Sequence, residues 1–242
     1  MLKGVGASVR SKQQGTMIDF ARRRLTMVET QLRPNEVTDR RLLAAMGTLP
    51  RERFVPERVR AFAYIDEGIE VFPAIDAAPA RALLAPMVLA RLVQLAAVEP
   101  GDTVLDVGCA TGYSTAILAR LGREVVGVEP EPELAETARA NLRALALANV
   151  EIVEGGLARG CPEKGPYGMI LLNGSVPAPP ESLFGQLKEG GRLAAILSGP
   201  GPGTQGKATR FVKVGGEVSG LPHFDAGAAP LPGFFRESSF DF

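Results

Sequence analysis

Gly108, Gly112 and Glu129 are the residues whose types and spacing could do chemistry. Both glycines lie in Thr103-Val-Leu-Asp-Val-Gly-Cys-Ala-Thr-Gly-Tyr-Ser-Thr115, directly after the apolar run Val104–Val107. Glycine has no Cβ, so a tight glycine turn between a parallel strand and a helix lets backbone come close to a ligand. Glu129 closes a second apolar run, Glu124-Val-Val-Gly-Val-Glu129, twenty-one residues past Gly108. An acid at that distance, on the tip of the second strand, is placed to hold a ribose diol. The spacing is Gly-x-x-x-Gly and not Gly-x-Gly-x-x-Gly, so a pyrophosphate-bearing dinucleotide fits less well. Asp106 either supports the glycine turn or caps the helix after it.

The elements that must position these residues follow from hydrophobic periodicity. From Glu99 onward strands and helices alternate, which predicts a parallel sheet covered on both faces. The expected strands are 103–107, 124–128, 150–153, 168–172 and 192–197, and the expected helices are 113–121, 131–146 and 180–188. Residues 209–214 and 234–240 are expected to add an antiparallel pair at one edge. Upstream, Ile18, Ala21, Leu25, Val28 and Leu32 form one stripe of an amphipathic helix. Thr38 or Asp39 can cap a second helix that turns Leu42, Leu43 and Met46 inward and ends at Pro50. A further helical turn ends near Tyr64, and Asp66 to Arg81 reads as a long connection with little regular pattern. Pro86 suits the first turn of a third helix. Gly201-Pro-Gly-Thr-Gln-Gly-Lys-Ala208 nearly matches a triphosphate-binding loop. It lacks the magnesium-holding hydroxyl at Ala208 and runs into a strand-like segment, which argues against nucleotide triphosphate binding.

Composition bounds the function classes. A chain of 242 residues, 45% hydrophobic, can bury a full core in one large domain or two small ones. No apolar stretch is long enough to cross a bilayer, and Met1 to Thr16 lacks the apolar segment of a secretory signal. That polar stretch reads as a disordered leader, with Met17 an alternative start. Cys109, Cys161 and the single His223 exclude a rich His/Cys metal site and leave no Ser-His-Asp or Cys-His machinery unless His223 serves alone. Sparse cysteine without a signal fits a reducing cytoplasm. Net charge is zero but uneven, since residues 1–60 hold thirteen Lys/Arg against six Asp/Glu. A basic third can be a nucleic-acid footprint, but helix-face arginines paired with nearby acids are the stronger expectation. Nucleic acid is therefore not the expected partner.

Asp106-Val-Gly-Cys-Ala-Thr-Gly112 with the later Glu129 resembles the S-adenosylmethionine-binding motif of class I methyltransferases. The N-terminal third narrows this. Met27-Val-Glu-Thr-Gln-Leu32, Val37-Thr-Asp39, Leu43-Ala-Ala-Met46, Pro50-Arg-Glu-Arg-Phe-Val-Pro56 and Ala63-Tyr-Ile-Asp66 resemble, in that order, the protein-L-isoaspartate O-methyltransferase family. Its members methylate the stray carboxylate of isoaspartyl residues in damaged proteins. The resemblance runs from about Met27 through the C-terminal strands. It implies an α/β class I methyltransferase fold, a Rossmann-like, doubly wound, mostly parallel sheet with a helical N-terminal extension. Residues 17–85 would be the helical cover and substrate side, and 86–242 the core, together one structural domain. It further implies S-adenosylmethionine, with product S-adenosylhomocysteine, bound by Asp106, Gly108, Cys109, Ala110, Gly112, Tyr113, Glu129, Pro130, Gly155 and Gly156. Tyr64, Asp66 and Asn173, with Ser175, are the candidate catalytic or substrate-side residues, and the partner is a protein or peptide bearing isoaspartate.

The chain departs from the family pattern at its active-site stretch. Where a Gly-x-Gly-Gln-Thr-Ile-Ser-Gln-Pro run is expected, Ala80-Arg-Ala-Leu-Leu-Ala-Pro86 stands, so Leu84 takes the place of the serine and Ala82 that of the threonine. No Ser or Thr occurs between Thr48 and Thr103. The Gly-Asp-Gly after the third strand is Gly155-Gly156-Leu157, and the Pro-Phe/Tyr-Asp before the fourth is Pro166-Tyr167-Gly168. A carboxylate acceptor is already ionised at neutral pH and needs no general base, so scarce His and Cys agree with carboxyl methylation. Two other readings stay open: a methyltransferase with a small-molecule or RNA acceptor, and a catalytically silent S-adenosylmethionine-binding protein.

Overall fold

The computed structural model describes residues 19–76, 78–199 and 205–234. The expected leader and nearly all of the expected strand 234–240 lie outside them.

Helix α1 (Phe20–Met27) starts at Asp19, whose carboxylate accepts from Arg22 N–H, and runs on through a π turn at Val28–Leu32. Asp39 caps α2 (Arg40–Thr48) by accepting from the N–H groups of Arg41 and Leu42, as the sequence suggests. Two 3₁₀ turns, Arg51–Arg53 and Glu57–Phe62, carry the chain to Tyr64. The next stretch corrects an expectation. Asp66 to Arg81 is not patternless: β1 (Ile69–Phe72) pairs antiparallel with β2 (Arg81–Leu83). Each strand has four residues or fewer, too short for a two-residue period to show in the sequence. Helix α3 (Pro86–Ala96) follows with proline in its first turn.

The central sheet comprises β3 (Thr103–Val107), β4 (Glu124–Glu129), β5 (Val150–Glu154), β6 (Tyr167–Val176), β7 (Leu187–Leu197), β8 (Gly206–Val214) and β9 (Glu217–Ala226). Its spatial order is β5-β4-β3-β6-β7-β8-β9, with β5 through β7 parallel and β7-β8-β9 antiparallel. Helices α4 (Tyr113–Leu121) and α5 (Pro132–Ala144) make the first two crossovers. The third expected helix, between β6 and β7, is shorter than expected. Only one turn, α6 (Glu181–Phe184), forms where 180–188 was predicted, because Leu187 already begins β7.

The partner of β8 is β9, reached through Gly215-Gly216, and not a strand at 234–240. Both glycines have positive φ (62° and 83°), the backbone that tight hairpins require. Gly206 opens β8, so the segment after the Gly-Lys pair is a strand and not a phosphate-binding helix. Apolar side chains of the N-terminal helices, among them Met27, Leu32, Leu42, Met46 and Phe54, share one core with Leu89, Leu92, Val104, Ile117 and Leu118. Among the described residues no helix is long and apolar enough to cross a membrane.

One departure from the family pattern has a packing cause. A Cβ at Gly168 would collide with the Asp102 carboxylate. That carboxylate is buried and held by Arg192 Nη2 at 2.6 Å and Lys188 Nζ at 3.2 Å. Gly168 lies at the foot of β6, so the change there concerns the base of the sheet and not the ligand end.

Candidate active site

β3 pairs with β4 on one side and β6 on the other, so the crossovers leave it in opposite directions. Open parallel sheets place ligands at the carboxyl ends of the strands flanking such a point. There the chain leaves Val107 through a left-handed Gly108 (φ 81°), and the N–H groups of Gly108 and Cys109 donate to Val128 O at 2.9 and 3.3 Å. Ala110 also has positive φ (48°), and Gly112 (φ 93°) caps α4.

The two glycines do different jobs. A Cβ at Gly112 would stand 3.2 Å from Ala138 Cβ, so this glycine lets α4 start against α5. A Cβ at Gly108 would instead meet Leu231 Cδ2 at 2.8 Å and Arg81 Nη2 at 3.1 Å.

Glu129 reaches the turn from the tip of β4 and is fully buried. Its Oε2 accepts from Ala110 N–H at 2.8 Å, which fixes the strained turn to the neighbouring strand. Its Oε1 accepts from Arg81 Nη1 at 2.8 Å, while Arg81 Nη2 donates to Gly108 O at 3.1 Å. Burial pushes the Glu129 carboxyl above its usual range, and the Arg81 guanidinium pulls the other way.

Asp106, on β3, lies behind the turn. Its Oδ2 accepts from Ser114 Oγ and Thr115 Oγ1, both at 2.7 Å, so it anchors the first turn of α4. Ser114 Oγ in turn accepts from Asn173 Nδ2 at 2.6 Å, tying β6 to the same group. Burial raises Asp106 to about 6 against the two hydroxyl donors. Its Oδ1 and the Oδ1 of Asn173 are both buried without a hydrogen-bond partner. Two orphaned acceptors linked through Ser114 are a polarity suited to a cationic group.

The structure thus brings Asp106, Gly108, Ala110, Glu129 and Asn173 together. It places other candidates elsewhere. The Cys109 side chain is buried and would lie 3.1 Å from a Cβ at Gly127, so it packs beneath β4. Burial pushes its thiol well above the usual range. The Tyr113 ring packs edge-on against Phe54 and beneath the Arg51 guanidinium, toward the N-terminal cover. Tyr64 donates to Glu52 and accepts from Arg24 Nε, and burial pushes its phenol upward. Asp66 accepts from Met87 N–H at 2.9 Å at the start of α3. Pro130, exposed, follows Glu129 directly, and Gly155 N–H donates to Glu129 O at 3.2 Å, so both stay beside the acid; a Cβ would meet open space at Gly156 and Val128 Cγ1 at 3.9 Å at Gly155. Ser175 is engaged by the segment after β9: its N–H donates to Ala229 O and its carbonyl accepts from Leu231 N–H, both at 2.9 Å.

Sequence reasoning missed Arg81, Ser114 and Leu231. A lone arginine within the apolar run Ala80–Leu84 was a usable signal, because an isolated charge there must find a partner. Nothing local marked Leu231.

Among the described residues, several arginines of the basic N-terminal third are spent internally. Arg24 pairs with Glu52, Arg41 donates to Val98 O and Leu121 O, and fully buried Arg51 donates to Ala63 O and Leu84 O.

The protein-L-isoaspartate O-methyltransferase of Koribacter versatilis is 36% identical over 181 residues, covering 75% of this chain and 79% of that protein. A solved protein-L-isoaspartate O-methyltransferase superposes with a TM-score of 0.75 at 26% identity, over 87% of this chain and 66% of the other. A structure described as a putative protein-L-isoaspartate O-methyltransferase from Plasmodium falciparum, in complex with S-adenosyl-L-homocysteine, shares the fold. Its TM-score is 0.70 at 20% identity, over 86% of this chain and 97% of that one. Residues 23–219 match the family Protein-L-isoaspartate(D-aspartate) O-methyltransferase (PCMT), and to that family, class I methyltransferase fold included, this chain belongs.

Proposed function

We propose that this chain transfers a methyl group from S-adenosylmethionine to the carboxylate of isoaspartyl residues in proteins. The observation that carries the reading is the Gly108–Gly112 turn, delivered by β3 beside an acid on β4 and backed by orphaned acceptors on Asp106 and Asn173. The residues suit the cofactor group by group. The turn backbone would lie against the methionine moiety, and Oδ1 of Asp106 and of Asn173 would accept from its ammonium. Glu129 would hold the ribose, and Gly156, where a Cβ would meet nothing, would leave room on the adenine side with Gly155 next to it. Bound there, the cofactor would supply a sulfonium methyl for the acceptor oxygen, with the carbon–sulfur bonding pair left on sulfur.

The protein's own contribution is holding acceptor and donor in line, which accounts for much of the acceleration in such displacements. No group has to remove a proton from an ionised carboxylate, so the site needs no histidine. His223, exposed on β9, is not called on.

The test is transfer of label from the methyl donor to an isoaspartyl peptide beside its aspartyl twin. Base-labile methyl esters on the first alone support the reading, and esters on neither count against it. A second reading, a cofactor-binding protein without transferase activity, is favoured by one observation. Leu84, standing for the family's serine, is buried among apolar side chains and offers an acceptor no hydroxyl. Cofactor binding without transfer to either peptide selects that reading.

A further inference from the structure

We propose that the cofactor cleft is closed by the chain itself: Arg81 and Leu231 form a plug that a ligand must displace. This inference rests on the assignment of S-adenosylmethionine to the Gly108–Glu129 cleft.

Both hydrogen-bonding faces of the cleft are taken by side chains from elsewhere in the sequence. A ribose diol binds a carboxylate by donating hydroxyls to it. In Glu129 one oxygen already accepts from Arg81 Nη1 and the other from Ala110 N–H, and the side chain has no exposed surface. Arg81 also caps Gly108 O, so its guanidinium spans the acid and the turn. The space that Gly108 leaves by lacking a Cβ is filled by Leu231 Cδ2. Leu231 equally fills the space at Gly174 on β6, where a Cβ would stand 2.7 Å from its Cγ. One apolar side chain therefore covers the carboxyl ends of both β3 and β6, the two strands that flank the crossover point.

Both plugging residues sit on short elements with few backbone hydrogen bonds. Arg81 starts the three-residue β2, paired only with β1 through an irregular register. Leu231 belongs to a strap, Ala228–Leu231, whose hydrogen bonds to β6 among the described residues all go to Ser175: two backbone bonds and Ser175 Oγ donating to Ala228 O, while the Leu231 side chain packs with Leu105, Val107 and Leu157. Elements with so few bonds open at lower free energy than the central sheet. In the closed form the charges of Arg81 and Glu129 are paired and buried, so it competes with ligand without any change in the sheet. Apparent affinity is then reduced by the fraction of molecules that are open.

Calorimetry with S-adenosylhomocysteine measures this on the full chain. Leu231→Ala empties the apolar half of the plug without touching the charge pair, and Arg81→Gln removes the guanidinium while keeping a polar side chain. Each is expected to tighten binding about tenfold relative to the wild type, as an open-state increase of that size requires. Hydrogen exchange on the unmodified protein gives a readout free of folding defects: saturating S-adenosylhomocysteine should raise exchange at the Leu231 and Ser175 amides while protecting Ala110. Equal or weaker binding by both variants, with Leu231 still protected in the wild-type complex, overturns the plug and leaves the methyltransferase reading standing. No heat from wild type or either variant overturns both.

Discussion

Asn173 Nδ2 donates to Ser114 Oγ at 2.6 Å, joining β6 to the first turn of α4 across fifty-nine residues of sequence. Through Ser114 the bond reaches Asp106, so three elements meet at one buried polar chain. Asn173→Ala removes the donor and leaves Ser114 with one partner. The expected loss of stability is about 1–2 kcal/mol by urea unfolding. Weaker binding of S-adenosylmethionine and S-adenosylhomocysteine by the same factor should accompany it, since both carry the ammonium assigned to this corner. Unchanged affinity for both ligands would remove Asn173 from the site.

Asp106 makes stability depend on pH in an unusual direction. Its folded-state value of about 6 lies above the ordinary 3.8, so the folded protein binds this proton more tightly than the unfolded chain does. This contribution to stability is complete below the ordinary value, falls as pH rises from 3.8 to about 6, and is absent above. Two units correspond to roughly 3 kcal/mol. Asp106→Asn keeps acceptors for Ser114 and Thr115 and should flatten that slope, measured as urea midpoints across the window. An identical slope in wild type and variant would show that Asp106 does not cause it.

Among the described residues Arg51 is the largest fully buried side chain, and it braces the N-terminal cover against α4. Its Nε and Nη2 each donate at 2.8 Å, to Ala63 O and Leu84 O, and the guanidinium stacks 4.9 Å above the Tyr113 ring. A lysine cannot reach both carbonyls from one point charge. Arg51→Lys is therefore expected to cost about 1–3 kcal/mol of unfolding free energy, leaving one buried carbonyl unpaired. Retention of full stability would show that the two bonds are not both needed.

Leu84→Ser restores the residue type of the family pattern, but position 84 is buried in the shared core. The change empties apolar volume and buries a hydroxyl, for an expected loss of about 2–4 kcal/mol by thermal or urea unfolding. Methyl transfer to an isoaspartyl peptide should not rise. A gain would show that the missing hydroxyl alone limits the activity.

The frame of this protein is local, and so it was legible from sequence. The run Val104–Val107, the left-handed positions at Gly108 and Gly112, and the second strand ending on Glu129 are each set by a residue's own backbone preference or by a short hydrophobic period. Asp39 and Pro86 marked helix starts for the same reason. The hairpin β8–β9 was half read: the alternation of β8 was seen, but Gly215-Gly216 was not taken as its turn.

Tertiary structure alone decided what occupies the cleft. Arg81 and Glu129 are forty-eight residues apart, and Leu231 reaches Gly108 from beyond the last strand. No spacing rule links them, because each is brought in by the end of a peripheral element and not by a repeat along the chain. The same holds for Tyr113 and Cys109, named from the motif but turned toward Phe54 and Gly127 by helical and strand geometry. A motif specifies where backbone can approach a ligand; which side chains finally fill that space depends on long-range packing, which acts only once the sheet has formed.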